Sequence, residues 1–371
     1  LSETPAVMHD FRDRYTGKHV LAPMVRGSTL PMRLECLRYG ADLVYCEELI
    51  DKKLLDLRRV INPHFGTIDY VSTREKVLVF STIPEEKEKL VFQLGTADGP
   101  TAVRAALAVA RDVGAVDVNM GCPKSFSVKG GMGAALIKTP EVAADIVKSL
   151  RRELPAHIPV TCKTRMQPDD QKTIEFLQLM EKSGACAIGL HMRFTPDRPS
   201  QPARWGLLNN VKHCVSVPLI ANGDIFTAEK AREFQAMVGA DSLMVARGAL
   251  RDPSIFARMR GLPAPDTKEE VVERFLDRCV KVGNSYQNTK WVLAQLVGDD
   301  STFRDQPVRD AQETLQQAKS MTALCEWGGY RGFDQSAYPQ GAYSAGFFKT
   351  QYDAMPWDDL QAAAAPSDPQ A

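Results

Sequence analysis

Between residues 18 and 260, short apolar runs alternate with longer stretches whose apolar positions recur every three to four residues. The runs are Lys18–Ala22, Asp42–Tyr45, Leu90–Gln93, Ala115–Asn119, Ile158–Lys163, Ala185–His191, Val217–Ala221 and Ser242–Ala246. Most are apolar throughout, as in parallel strands covered on both faces. The stretches Thr101–Val113, Glu141–Glu153, Lys172–Ser183 and Ala228–Val238 carry helical periodicity. Eight such β units with intervening helices predict the α/β class and a closed (β/α)8 TIM barrel. A doubly wound open sheet needs a glycine-rich turn after its first strand. The turn here is Pro23-Met24-Val25-Arg26-Gly27, which does not fit.

The pattern changes twice. Gly66–Ser81 reads as a β-hairpin inserted between the second and third strands. Gly261-Leu262-Pro263-Ala264-Pro265 marks a boundary, beyond which Thr267–Gly283, Tyr286–Val297 and Gln306–Glu326 read as three helices. Thr267 and Glu270 form a capping box at the first of these. The expected organisation is a barrel over 1–262, a small all-α domain over 263–327 and an extended or disordered tail over 328–371.

Composition narrows the class. Apolar residues make up 44% of the 371, enough for a substantial core, and Lys+Arg balance Asp+Glu at 46 each. That balance argues against a generally polycationic nucleic-acid binder, so an RNA partner would need locally clustered charge. None of the eight cysteines forms a C-x-x-C pair, and no Cys/His cluster has zinc-ligand spacing, so no metal site is expected. Reduced cysteines and the lack of an apolar stretch long enough to span a bilayer lead to the expectation of a cytoplasmic monomer with no membrane association.

Chemistry in this fold gathers where strands end. The third predicted strand ends at Gln93, the fourth at Asn119, the fifth at Lys163 and the sixth at His191, with Arg193 beyond. Asn222-Gly223-Asp224 and Ala246-Arg247-Gly248 close the last two, where barrels of this kind often hold a phosphate. Two ordinary turns are the alternative. Lys163 suits a Schiff base, the N1/O2 edge of a flavin, or a lysine reaching out of the barrel mouth. Gln93 and Asn119 suit the edge of a flavin or pyrimidine, or a local turn bond. Cys122 differs from the other cysteines by lying in a Gly-Cys-Pro loop. With no His nearby in sequence to activate it, a proton donor over a planar substrate is the better guess than a nucleophile. The glycine-rich run Lys129–Leu136 matches no nucleotide-binding fingerprint.

Asp117-Val118-Asn119-Met120-Gly121-Cys122-Pro123, followed by Lys129–Leu136, resembles the signature of the tRNA-dihydrouridine synthases. Leu21–Val25, Phe92–Gly95, Val160–Arg165, Ile220–Ile225 and Val245–Gly248 fall in the family's order, over roughly residues 18 to 325. Val44–Asp51, Gly130–Leu136 and Asn288–Lys290 resemble the eukaryotic branch that acts on uridine 20 of the D-loop. The resemblance implies FMN as prosthetic group, NADPH as electron donor and tRNA as substrate. FMN contacts would fall on Pro23, Met24, Val25, Gln93, Lys163 and His191, then on Asn222, Gly223, Asp224, Ala246 and Arg247. Reduced flavin would deliver hydride to C6 of the uracil while Cys122 protonates C5 from the opposite face, with Asn119 beside both. Ser127 departs from the apolar residue of many bacterial members, and the residues after the helices do not read as the double-stranded-RNA-binding domain of animal members, so none is expected within this sequence.

RNA contact would then rest on local charge. The 263–327 segment is net acidic, yet Arg274, Arg278 and Lys281 share one helix face, and Lys290 extends that stripe. The alternative is i,i+4 pairing with Glu270 and Asp277 and a further pairing with Glu273. Arg193, Arg198 and Arg204 are candidates at the mouth. A small-molecule flavin oxidoreductase of the dihydroorotate or dihydropyrimidine dehydrogenase type is the main rival; an RNA-binding flavoprotein with lapsed chemistry is the other.

Overall fold

Runs that are apolar on both faces need cover on both, and closing the sheet into a barrel ringed by helices supplies it. The computed structural model describes residues 10–265, 267–298 and 313–352, with the backbone of 357 and 358. In chain order the strands are β1 (His19–Leu21), β2 (Leu43–Tyr45), β3 (Leu49–Ile50), β4 (Leu57–Ile61), β5 (Ile68–Ser72), β6 (Leu78–Thr82), β7 (Leu90–Gly95), β8 (Ala115–Asn119), β9 (Val160–Arg165), β10 (Ile188–His191), β11 (Leu219–Asn222), β12 (Ser242–Val245) and β13 (Trp357–Asp358). The order β2-β1-β12-β11-β10-β9-β8-β7 closes through β2 pairing with β7, so eight parallel strands form the barrel. All eight predicted strands are present.

The period of two sorts the barrel's interior into levels. Low in the barrel, Val20, Leu43, Val91, Ala115, Ala187, Ile220 and Met244 form a closed apolar plug, with Tyr15 sealed among them. Two residues further along the same strands, the inward positions turn polar: Gln93, Asp117 and Lys163, then Asn119 and His191. Register aligns them, with Gln93 opposite Asp117 and Lys163 opposite both Asn119 and Gly189. An apolar floor under a polar upper level is thus written into β7, β8 and β11.

The insertion after β3 is larger than a hairpin. β4, β5 and β6 make an antiparallel sheet, with a register shift between Tyr70 and Val71, and β13 adds to it through Trp357 opposite Val60. Arg59 in β4 ties this sheet to the barrel by pairing with Asp112 at 2.6 Å.

The helix Lys268–Lys281 begins at Thr267, whose hydroxyl accepts from the Glu270 N–H at 3.2 Å. Tyr286–Leu296 follows as predicted. Gln306–Glu326 is not one helix over its described part. Helix 313–317 stops, and Ser320 caps a separate helix Met321–Trp327 by accepting from the Ala323 N–H; positions 306–312 lie outside the described residues. The expected loose tail is also corrected over 333–352. Tyr343, Phe347 and Phe348 are buried there, and Tyr338 stacks on Phe65 of the insertion with centroids 5.6 Å apart. The Tyr343 hydroxyl donates to the Val280 carbonyl, so this segment also grips the helical part. Among the described residues no helix is long and apolar enough to cross a membrane.

Candidate active site

The polar level of the barrel is a connected network. Asp117 is fully buried and accepts from Thr161 Oγ1 at 2.6 Å and from Gln93 Nε2 at 2.8 Å. Gln93 Oε1 in turn accepts from Asn119 Nδ2 at 3.1 Å. The other end of Asn119 accepts from the N–H groups of Gly121 and Cys122 at 3.0 and 2.9 Å, which shapes the turn carrying the thiol. Burial pushes the Asp117 carboxyl up to about 6, against hydrogen bonds that pull it down.

Lys163 stands at the centre of this level. Its stem lies over Gly189, where a Cβ would approach Lys163 Cγ to 3.0 Å. Among the described residues its ammonium makes no hydrogen bond or ion pair, and burial followed by the Arg165 charge lowers it to about 8. One step higher, His191 is surrounded by Lys163, Arg165, Arg193 and Arg247; burial and those cations hold its pKa far below the ordinary histidine value. A neutral imidazole amid four cationic side chains marks a place prepared for an anion rather than for another cation.

That anion has room. A cavity of about 500 Å³ is bounded by Pro123, Arg165, His191, Asn222, Gly223 and Arg247. Gly223 has a φ of 149°, and a Cβ there would meet Ala203 Cβ at 2.7 Å. Asp224, at a φ of 52°, organises the arginines: it accepts from Arg193 Nη2 at 2.6 Å and from Arg247 Nη2 at 2.8 Å. The first loop reaches the same end of the barrel, held by the Met24 N–H donating to Ser28 Oγ at 2.8 Å, with Pro23 and Met24 half-buried and Val25 exposed. Ala246 precedes the short helix Arg247–Arg251.

Cys122 is partly exposed at this end, three residues past the end of β8. Burial, then the Glu48 charge, pushes its thiol up to about 11. Sequence reasoning missed the residues around it. Ser127 is buried and donates to Glu48 Oε1 at 3.1 Å, and Arg165 Nε donates to the Gly121 carbonyl at 2.6 Å. Gly133, at a φ of 58°, packs so closely that a Cβ would lie 2.4 Å from Ser127 Oγ. The departure at Ser127 was the available signal, since a hydroxyl in place of an apolar side chain asks for a partner.

The structure does not bring the basic stripe to this site. Arg274 pairs with Glu270 and Lys281 with Asp277, the i,i+4 alternative weighed above. Arg278 Nε donates to Glu35 of the barrel at 3.0 Å, and Lys290 Nζ donates to the carbonyls of Gln316 and Ala318. Arg193 is at the site but only 4% exposed, with Nε on the Gln201 carbonyl and Nη2 on Asp224. It shapes the cavity instead of projecting toward the rim.

Comparison with known proteins agrees with the motifs. Residues 20–319 match the family model described as dihydrouridine synthase (Dus). The chain is 36% identical over 318 residues to a tRNA-dihydrouridine(20) synthase (NAD(P)+) of Schizosaccharomyces pombe, covering 84% of this chain and 64% of that protein's length. It is 37% identical over 305 residues to the tRNA-dihydrouridine(20) synthase (NAD(P)+) of Saccharomyces cerevisiae, covering 78% of this chain and 79% of that one. A tRNA-dihydrouridine(20a/20b) synthase (NAD(P)+) of S. pombe is 29% identical, over 77% of this chain and 81% of its own length.

Proposed function

Since the chain belongs to the dihydrouridine synthase family, we propose that it reduces the C5=C6 bond of uridine 20 in tRNA, with FMN as prosthetic group and NADPH as electron donor. The carrying observation is the place of Cys122: a protonated, partly exposed thiol on a loop whose next residue, Pro123, lines the cationic cavity. Two relatives named for the same nucleotide position support the substrate.

The residues present fit FMN. Arg247, Asn222 and Gly223 would hold its phosphate, with Asp224 and Arg193 fixing their places. Lys163 and Gln93 would meet the ring, and the first loop from Pro23 to Val25 would flank it. Bound there, FMN supplies the hydride chemistry for C6 of the uracil.

The chain's own residues do the rest. Cys122 donates a proton to C5, a task for which a thiol protonated at neutral pH is suited. Asn119 fixes the loop that aims it. Neutral His191 offers a hydrogen bond without adding charge. Lys124, Phe126 and Lys129 are exposed on the thiol's loop, and there a base can stack and phosphates can be met. The helical part is the second RNA-facing unit in this reading. Its Asn288 donates to the Arg26 carbonyl at 2.9 Å, which joins it to the first loop.

The test is to incubate the flavin-loaded protein with NADPH and unmodified tRNA and analyse the nucleosides by mass spectrometry. Dihydrouridine at position 20 is expected. Reduction of free uracil or orotate with no change in tRNA would favour the small-molecule reading.

A further inference from the structure

Behind Cys122 lies a carboxyl group that the mechanism above does not use. Glu48 follows β2 and sits beside the thiol, 74 positions away in the chain. Ser127 fixes it through the 3.1 Å hydrogen bond to Oε1, while Oε2 is buried with no hydrogen-bond partner. Two glycines make the space: a Cβ on Gly95 would lie 2.8 Å from Glu48 Oε1, and one on Gly133 would lie 3.0 Å from Cys122 Cβ. A carboxyl held by Ser127 on one oxygen and hydrogen-bonded to the thiol is suited to pass that thiol a proton.

We propose that Glu48 is a positioning residue that recharges Cys122: held by Ser127 against the thiol, its carboxyl returns a proton to the thiolate after each transfer. The inference rests on Cys122 being the acid. The S–H bond forms as the Glu48 O–H bond breaks, leaving a carboxylate; no electrons move. Glu48 is half-buried rather than sealed, so water restores its proton. The other groups facing the thiol are Lys163 and Arg165 from β9, the Lys124 N–H and the Ser127 hydroxyl. Glu48 is the one carboxyl here, and Lys163, lowered to about 8, is the other group that can give up a proton, so the Glu48 variant is what tells them apart. Burial raises its carboxyl above the usual range, yet the thiol at about 11 is far weaker, so the transfer runs downhill.

The test uses the holoenzyme. Alkylation of Cys122 by iodoacetamide, followed on its own peptide by mass spectrometry, is measured against pH for wild type and Glu48→Gln. In wild type the rate should still be rising at pH 10, whereas an ordinary thiol levels off around its pKa of about 8.5. In Glu48→Gln the midpoint should fall by about one unit or more. A product burst of one dihydrouridine per enzyme should then precede a steady state slowed by at least about tenfold. Loss of the charge alone would lower the midpoint, so the burst is what separates a relay from a merely structural glutamate. Absence of the burst in Glu48→Gln overturns the inference, with or without a shifted titration. Should that variant lose its flavin or its fold, Ser127→Ala, which frees the same carboxyl, takes its place, and wild-type turnover in it with no burst overturns the inference. If Cys122→Ala abolishes product while Glu48→Gln behaves as wild type, only this inference falls. If Cys122→Ala remains fully active, the reading beneath it falls as well.

Discussion

Arg193 and Asp224 face each other across neighbouring barrel strands, with Arg193 Nη2 2.6 Å from both carboxylate oxygens. Asp224 also holds Arg247, so one carboxylate sets two guanidinium groups at the cavity wall. Asp224→Ala leaves the buried Arg193 charge uncompensated and should cost about 3 kcal/mol of stability. FMN affinity, read by flavin fluorescence titration, should fall at least about tenfold, as expected for losing a fixed charge-assisted contact. Unchanged affinity would remove the phosphate from this wall.

Gly133 packs tightly against the residues that carry the thiol. Gly133→Ala places a side chain in the left-handed region and against Ser127 Oγ and the Cys122 carbonyl, costing about 2 kcal/mol. Dihydrouridine formation should drop at least about tenfold, because a misplaced proton donor loses its catalytic contribution. FMN content, measured by absorbance, should stay at the wild-type level.

Arg278 separates the two readings of the basic stripe. Its partner Glu35 is 1% exposed, and stranding a buried carboxylate costs about 3 kcal/mol. Arg278→Ala should therefore lower the melting temperature. The slope of log tRNA affinity against log salt should not move, whereas loss of a phosphate contact reduces it by about 1.

The pH dependence follows from two displaced groups. Lys163, lowered to about 8, is a cation below that pH and neutral above it. FMN binding should weaken between pH 7 and 9.5, on the order of tenfold for loss of one protonated partner. Lys163→Met should abolish that dependence. Cys122, raised to about 11, keeps its proton across the same range. Single-turnover proton donation should therefore show no fall near pH 8.5.

What could be read in the sequence depended on range. The strands were legible because most are apolar along their own length, Asn119, His191 and Asn222 because each ends one, and Lys163 because it is a charge near the end of such a run. Asp117 was not legible as a node of the site. Its partners Gln93 and Thr161 lie 24 and 44 positions away, brought in by barrel register alone. Glu48 and Ser127 are 79 apart. The aromatic residues of 333–348 have no helical or strand period, and one of their partners, Phe65, precedes them by most of the chain. The stripe of Arg274, Arg278 and Lys281 was a true helix face, but a face turned to neighbouring carboxylates.

The most direct test separates the two half-reactions in Cys122→Ala. Reduced by NADPH under anaerobic conditions, the variant's flavin should bleach at the wild-type rate. Adding unmodified tRNA should then reoxidise wild-type flavin while the variant's reoxidation falls by about 10² or more, the contribution of a placed acid. Wild-type reoxidation with full dihydrouridine yield in the variant would contradict the assignment of the thiol as proton donor.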